Sequence, residues 1–426
     1  MKKTLEEKLY ERKIKVPNFF IYYPLVYFWK FLFTRKYKLK TTFIDDPREE
    51  KGSYLLLSNH ASRVDYIFTA IPLLPHRFNF VVGYNEFFRS HLRGVLSILQ
   101  EIPKKNFTND IPCIMYMKKI ITKKGRIIMF PEGMSSISGG SQPIAQGSGK
   151  LIKMLKVPVY VSNIKGAYLT NPKFNLTERP GPVEVTFKKL LDVDQIEKLS
   201  FEEIDDMLKK EIRMDDYKYN LEKQYTYKSD EIAKHIEQLC YKCPKCGSEF
   251  TLVSDSNSIT CTHCGNKIYL DTSYNLTPAS SDMVTPETPK KWFDNERASI
   301  KEEIKNIHYK LVDKVKIGFL PEYKTLKNLA TSIIKGEGTI QLDRDGLHFN
   351  GTKDGKEFSF TIPTSDLPTY GMCTDASRFY TFLKGKFIEF YPERNSTIKW
   401  LLATEEMHRL NGGSWKNYPD DDEYWK

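Results

Sequence analysis

Between residues 41 and 190 the chain alternates short apolar runs with helical and polar stretches. The runs are Tyr54–Ser58, Phe78–Val82, Arg126–Phe130, Pro158–Ser162 and Val183–Phe187. Apolar runs of this length bounded by turn residues predict buried strands, and their alternation with helices predicts an α/β domain. Ser200, with Glu203 three residues on, predicts a capped helix over Phe201–Met214. A second helical stretch is predicted over Asp230–Leu239. The Ser-, Thr- and Pro-rich segment after Leu270 reads as a linker. Ile300, Ile304, Ile307 and Leu311 then recur at helical spacing. From Gly338 the period changes to two, with turn signals at Asp345-Gly346, Asn350-Gly351 and Asp354-Gly355. Phe358, Phe360 and Ile362 fall on one face, a further apolar group runs from Phe379 to Phe390, and a helix near Trp400–Leu410 closes the module.

Charge changes the picture at the N-terminus. The net charge is +11, and residues 1–40 hold eleven Lys or Arg against three Glu. That basic excess flanks the aromatic run FFIYYPLVYFWKFLF, from Phe19 to Phe33. Broken by Pro24 and Lys30, the run is too short to span a hydrocarbon core of ~30 Å, and it has neither the position nor the cleavage site of a signal peptide. Aromatic side chains favour the headgroup boundary, and Arg35, Lys36, Lys38 and Lys40 follow to meet anionic lipid. The segment reads as a monotopic anchor at a membrane surface; the alternative is a helix buried in the domain core.

Seven cysteines are present, five of them between Cys240 and Cys264. An odd number gathered at CxxC spacing points to metal in a reducing cytoplasm rather than to disulfides, which places the protein on the cytoplasmic face of the membrane. CPKCG, fourteen intervening residues and CTHCG predict a zinc ribbon with Cys243, Cys246, Cys261 and Cys264 as ligands. Four thiolates saturate a tetrahedral ion, so the zinc is structural and catalysis needs no cofactor. Cys240 stands at the same spacing without a following Gly, and Cys113 reads as a core thiol.

Two polar motifs each terminate an apolar strand. The first is Asn59-His60-Ala61-Ser62-Arg63-Val64-Asp65, with Ser62 as a candidate helix cap, and the second is Pro131-Glu132-Gly133-Met134-Ser135-Ser136. Ligands bind at the carboxyl ends of strands in α/β sheets, so the two share a cleft. Ile102-Pro103-Lys104-Lys105 lies between them, and Val157–Val161 forms a later strand. This ordered set resembles the glycerolipid acyltransferase family, of the 1-acylglycerol-3-phosphate acyltransferase type: NHASRVD is similar to its NHxSxxD block and FPEGMSS to its FPEGTRS block. The resemblance covers roughly residues 50–215. It implies transfer of a fatty acyl chain from acyl-CoA or an acyl carrier protein to a lysophospholipid hydroxyl in phospholipid synthesis. His60 is then the general base and Asp65 its orienter. Glu132 and Gly133 belong to the acceptor-binding block. Two departures stand out: Ser135 replaces the family's third-block Arg, and IPKKN replaces a second block that usually ends in Arg, where Lys104 or Lys105 could supply the cation.

The resulting division is an interfacial anchor at 1–40, an acyltransferase domain at 41–228, a helix and zinc ribbon at 229–272, a linker at 273–290 and a helix with a β-rich module at 291–426. The last is similar in architecture to pleckstrin-homology-type modules. The expected partners are a membrane surface, an acyl donor, a lysophospholipid and a protein that docks on the ribbon; nucleic acid is not expected. The competing reading is a zinc-ribbon binding protein, for nucleic acid or a protein partner, built on a degenerate acyltransferase scaffold.

Overall fold

The computed structural model describes residues 2–144 and 147–413; the tail of the C-terminal module, 414–426, lies outside them. The chain forms two compact units. One runs to Asp230 and includes Thr272–Tyr274 and Leu320–Thr331; the other comprises Glu231–Asp271, Asn275–Phe319 and the chain from Ser332.

The first unit is built on a seven-stranded sheet: β1 (Lys40–Phe43), β2 (Leu55–Ser58), β3 (Phe78–Gly83), β4 (Ile102–Lys104), β5 (Arg126–Met129), β6 (Val159–Lys165) and β7 (Glu184–Leu191), in the order β1-β7-β6-β2-β5-β3-β4. β2 lies parallel between β5 and β6, with Leu57 opposite Met129 on one side and Val161 on the other. Leu55, Leu56 and Leu57 are all fully buried, as expected of a central parallel strand covered on both faces. On one face Leu55, Leu57, Ile127 and Val159 pack with Met117, Ile152 and Leu208 from three helices. All five strand readings are found. β1 and β4 were not foreseen: both are short edge strands without a continuous apolar run, and Pro103 is tolerated because β4 lies at the edge.

The first forty residues are part of this unit. Ile14 lies in the core cluster, and the helix Phe19–Lys36 buries Tyr22 and Val26. Trp29 of that helix packs edge-on against Tyr66, 5.2 Å between ring centres, within the helix Asp65–Ala70. Its opposite side is bare: Phe20 is 74% exposed, Phe28 57% and Phe31 71%. The helix thus has both a buried side and an open apolar one. The helix Phe201–Glu211 carries the expected capping box between Ser200 and Glu203.

In the second unit the cysteine region forms a four-stranded antiparallel sheet of Leu252–Asp255, Ser258–Cys261, Lys267–Leu270 and Leu276–Pro278. The helix expected at Asp230–Leu239 is absent, apart from a 3-10 turn at Ile236–Gln238. His235 is left-handed there (φ 69°), and Ala233 and His235 donate their N–H groups to Ser256 O and Ser254 Oγ. Tertiary bonds override the periodicity. The segment read as a linker is also ordered: Leu276–Pro278 pairs with Lys267–Leu270, and Asn266 exchanges two hydrogen bonds with Val284. Tyr274 is buried in the first unit, donating to Leu169 O and accepting from Arg179.

A helix, Pro289–Glu303, ends before Ile307, which is 68% exposed, and Leu311 opens a strand, so the four-residue stripe does not lie on one helix. A seven-stranded antiparallel sheet and the helix Thr397–Leu410 follow. Asp354-Gly355 makes a hairpin turn with both residues at positive φ, whereas Asn350-Gly351 lies inside a strand. Phe379, Phe390 and Trp400 stack at the core between sheet and helix.

Candidate active site

β2 ends at Ser58, and the next two residues turn away from the sheet. Asn59 is fully buried and bridges to β6, donating to Ile164 O at 2.8 Å and accepting from Ile164 N at 2.7 Å. That clamp fixes where His60 emerges. The His60 ring stacks on Phe130, the residue after β5, at 4.4 Å. Its Nδ1 lies 2.9 Å from Asp65 Oδ2. A carboxylate only accepts, so Nδ1 carries the hydrogen and Nε2 keeps its lone pair.

Asp65 is fully buried, and both of its carboxylate oxygens are held by donors. Ser62 N donates to Oδ2 at 2.8 Å and Ser62 Oγ to Oδ1 at 2.7 Å. Ser62 was expected to cap the following helix; it serves the carboxylate instead, and the helix has no side-chain cap. Replacing Asp65 by Asn should therefore lower turnover by about 10²-fold or more, since an amide no longer fixes the Nδ1–H tautomer. Single-turnover rates for the folded variant check this.

Glu132 sits behind His60 rather than facing an open cleft. It is 1% exposed, and its two carboxylate oxygens accept from His60 N at 2.8 Å and from Gln142 N at 2.6 Å. Burial pushes its pKa up to about 8, against the pull of those two N–H donors. Its role in this geometry is to hold the backbone of the base. Ser136 N completes the bracket by donating to His60 O at 2.7 Å. Gly133 adopts φ +76°, and a Cβ there would meet the Phe107 ring at 3.2 Å, so glycine is required.

The two lysines of the second block are committed to nearby partners. Lys104 Nζ donates to the carbonyls of Lys105 and Thr108, both at 3.2 Å. Lys105 Nζ pairs with Glu6 at 3.1 Å and lies over the Tyr84 ring at 4.8 Å. Asn106 reaches the third block in their place, donating to Gly133 O at 2.6 Å. The sequence reading missed one cation. Lys173, 6% exposed, donates from Nζ to Ser135 Oγ at 2.8 Å.

Residues 40–165 match the acyltransferase family model. This stretch is an acyltransferase-family domain. Its curated relatives include 1-acyl-sn-glycerol-3-phosphate acyltransferases from Cocos nucifera (29% identical over 147 residues, 34% of this chain and 47% of that protein) and Limnanthes douglasii (28% over 170 residues, 39% and 59%). The chain thus spans about half the length of the curated relatives it matches. Among solved structures, the 1-acyl-sn-glycerophosphate acyltransferase PlsC from Thermotoga maritima aligns with a TM-score of 0.39 and 17% identity, over 48% of this chain and 80% of that one. The matched acyltransferase segment contains His60, Asp65, Lys104, Lys105, Glu132 and Gly133; Lys173 lies beyond it.

Outside the acyltransferase domain, the ligand atoms of Cys243, Cys246, Cys261 and Cys264 all lie within 4.8 Å of one another. Cys243 and Cys264 are 3.7 Å apart at sulfur, Cys246 and Cys261 3.9 Å. Four thiolates around Zn²⁺ at ~2.3 Å stand about 3.8 Å apart, so the donor set fits that ion. Gly247 and Gly265, at φ 75° and 71°, donate to the carbonyls of Cys243 and Cys261 and close the two knuckles. Cys240 is a core thiol whose Sγ faces Pro289 O at 3.8 Å, outside the cluster. Cys113 is likewise buried, and burial pushes its thiol up to about 12.

Proposed function

We propose that this protein moves a fatty acyl group from an acyl thioester, carried by coenzyme A or an acyl carrier protein, to the free hydroxyl of 1-acylglycerol-3-phosphate at a membrane surface. The observation that carries this reading is the His60–Asp65 pair, held at a strand end by Glu132 and Ser136 within the acyltransferase domain. His60 Nε2 takes the proton from the acceptor hydroxyl as its oxygen attacks the thioester carbonyl. The buried Asp65 carboxylate stabilises the imidazolium. The tetrahedral intermediate then expels the thiolate, which recovers the proton, so one ester and one free thiol form and no acyl-enzyme is needed. Purified protein supplied with acyl-CoA and a panel of lysolipids should release thiol fastest with lysophosphatidate. Release with none of the acceptors or donors would leave the competing ribbon-binding reading.

The membrane contact falls to the helix Phe19–Lys36. No helix among the described residues is long and apolar enough to cross a membrane, yet this one exposes Phe20, Phe28 and Phe31 beside Arg35 and Lys36. Its buried side packs on the helix that begins at Asp65. Such a surface suits the cytoplasmic leaflet, where anionic lipid meets the basic flank. Binding to anionic vesicles should weaken as salt rises, and Phe20→Ser, Phe28→Ser and Phe31→Ser combined should weaken it at every salt concentration. Sedimentation with vesicles checks both. Wild-type protein that stays in the supernatant at low salt would contradict the anchor.

The zinc ribbon has a structural role in this reading, with Cys243, Cys246, Cys261 and Cys264 holding one ion and a partner protein docking on the module.

A further inference from the structure

The antiparallel sheet of the C-terminal module has two unlike faces. Along its strands Ile333–Leu342, Gly346–Lys353 and Lys356–Pro363, side chains alternate between them. Ile340, Leu342, Leu347 and Phe349 are fully buried in the core on one face. On the other, the register sets polar side chains side by side across the three strands. Thr339, Asn350 and Ser359 form one row, and Gln341, His348 and Thr361 form the next. With Asp343 and Asp345 they line a cleft of about 460 Å³, within the ~300–1,000 Å³ range of small-molecule sites.

The two rows are held differently. Asp343 anchors the second: its Oδ1 accepts from His348 Nε2 at 3.0 Å and its Oδ2 from Gln341 Nε2 at 2.8 Å. With Nε2 donating, His348 Nδ1 keeps its lone pair and accepts from Thr361 Oγ1 at 3.0 Å. That row is fixed in one orientation, and the Gln341 carbonyl oxygen and the Thr361 lone pairs are left to accept. Thr339, Asn350 and Ser359 make no side-chain hydrogen bond to any described residue. Two hydroxyls and an amide can there donate and accept alike.

The lining also excludes several kinds of ligand. It holds two carboxylates and no Lys or Arg, so a phosphate or sulfate meets no opposite charge. Both oxygens of Asp343 are engaged, which leaves a cation only the exposed Asp345. Phe360 is the one apolar residue of the lining, so an acyl chain would bury little apolar surface. The chemistry that matches is a small uncharged frame bearing several hydroxyl groups.

We propose that this cleft binds a neutral, hydroxyl-rich ligand of the monosaccharide class. The Gln341–His348–Thr361 row orients it, and Asn350 and Ser359 supply direct hydrogen bonds. The sugar is either free or the headgroup of a lipid. The cleft lies in the compact unit that does not contain His60, so it is a second site and not part of the acyl-transfer machinery.

The test uses the full chain. Saturation-transfer NMR with the methyl glycosides of glucose, galactose, mannose and N-acetylglucosamine, and with myo-inositol, reads the free ligand. Sedimentation with phosphatidylcholine vesicles, with and without a monoglycosyl diacylglycerol, reads the headgroup. The vesicle arm uses the combined Phe20→Ser, Phe28→Ser and Phe31→Ser protein, so that the helix Phe19–Lys36 does not retain it. A signal from free sugar identifies a soluble ligand, and retention that requires the glycosylated lipid identifies a headgroup; either supports the proposal. Asn350→Ala with Ser359→Ala should weaken that binding about 10-fold or more, the loss of two hydrogen bonds. Thermal unfolding should stay near wild type, since both side chains are exposed and neither bonds to the protein. Thr352→Ala, opposite Glu357 one row beyond the cleft, should leave binding unchanged. Should the double variant not fold, Asn350→Ala by itself should weaken binding several-fold. Equal binding in wild type and the folded variant would overturn the proposal, as would no response to any sugar or to the glycosylated vesicles. Preference for an inositol phosphate over inositol would overturn it too, by showing a site for anions.

Discussion

Replacing His60 by alanine is expected to lower acyl transfer by about 10²- to 10⁴-fold, the usual contribution of a positioned general base. The fold should tolerate the change. The ring is partly exposed and covers Phe130, while the backbone bonds from Glu132 and Ser136 do not depend on the side chain. Asp65 keeps both donors from Ser62 and is not left as an unpaired buried charge. Circular dichroism and thermal unfolding should therefore stay close to wild type while single-turnover rates collapse. A variant within a few-fold of wild-type activity would remove His60 from the mechanism.

The second large effect concerns stability. Zinc in such a site contributes apparent binding free energies of about 10–16 kcal/mol, comparable to or larger than the whole stability of an ordinary domain, ~5–15 kcal/mol. Metal analysis should find one zinc per chain. Cys243→Ser with Cys246→Ser should unfold residues 240–270, read as a loss of amide-exchange protection over the strands Leu252–Asp255 and Ser258–Cys261. Turnover should survive in part, because His60 and Asp65 belong to the other compact unit. Complete loss of turnover in soluble, zinc-free protein would make the ribbon part of the active assembly.

What the sequence reveals here follows from how local each signal is. Strands such as Leu55–Ser58 are covered on both faces and so read as apolar runs, whereas the edge strands Lys40–Phe43 and Ile102–Lys104 leave no such trace. His60 and Asp65 were legible because one local motif, Asn59–Asp65, carries both. Glu132 was found by its motif, but its use was not: only the fold shows both its oxygens taken by backbone N–H groups. Lys173 was invisible among many lysines, since only the fold brings it against Ser135 of the third block. At Asp230–Leu239 the apolar spacing was helical, yet the side chains are buried in turns that bond to the ribbon strands. Periodicity reports which residues are buried; it does not fix the backbone that buries them.

The most direct measurement is mass-spectrometric detection of lipid product after purified protein is mixed with isotope-labelled acyl-CoA, lysophosphatidate and anionic vesicles, with the folded His60→Ala variant in parallel. The expected result is labelled phosphatidate, formed in step with free thiol by wild type and reduced at least about 10²-fold in the variant. Equal product from both proteins would contradict catalysis by the His60–Asp65 pair, and no labelled lipid from wild type with any acyl thioester would contradict the acyltransferase reading itself.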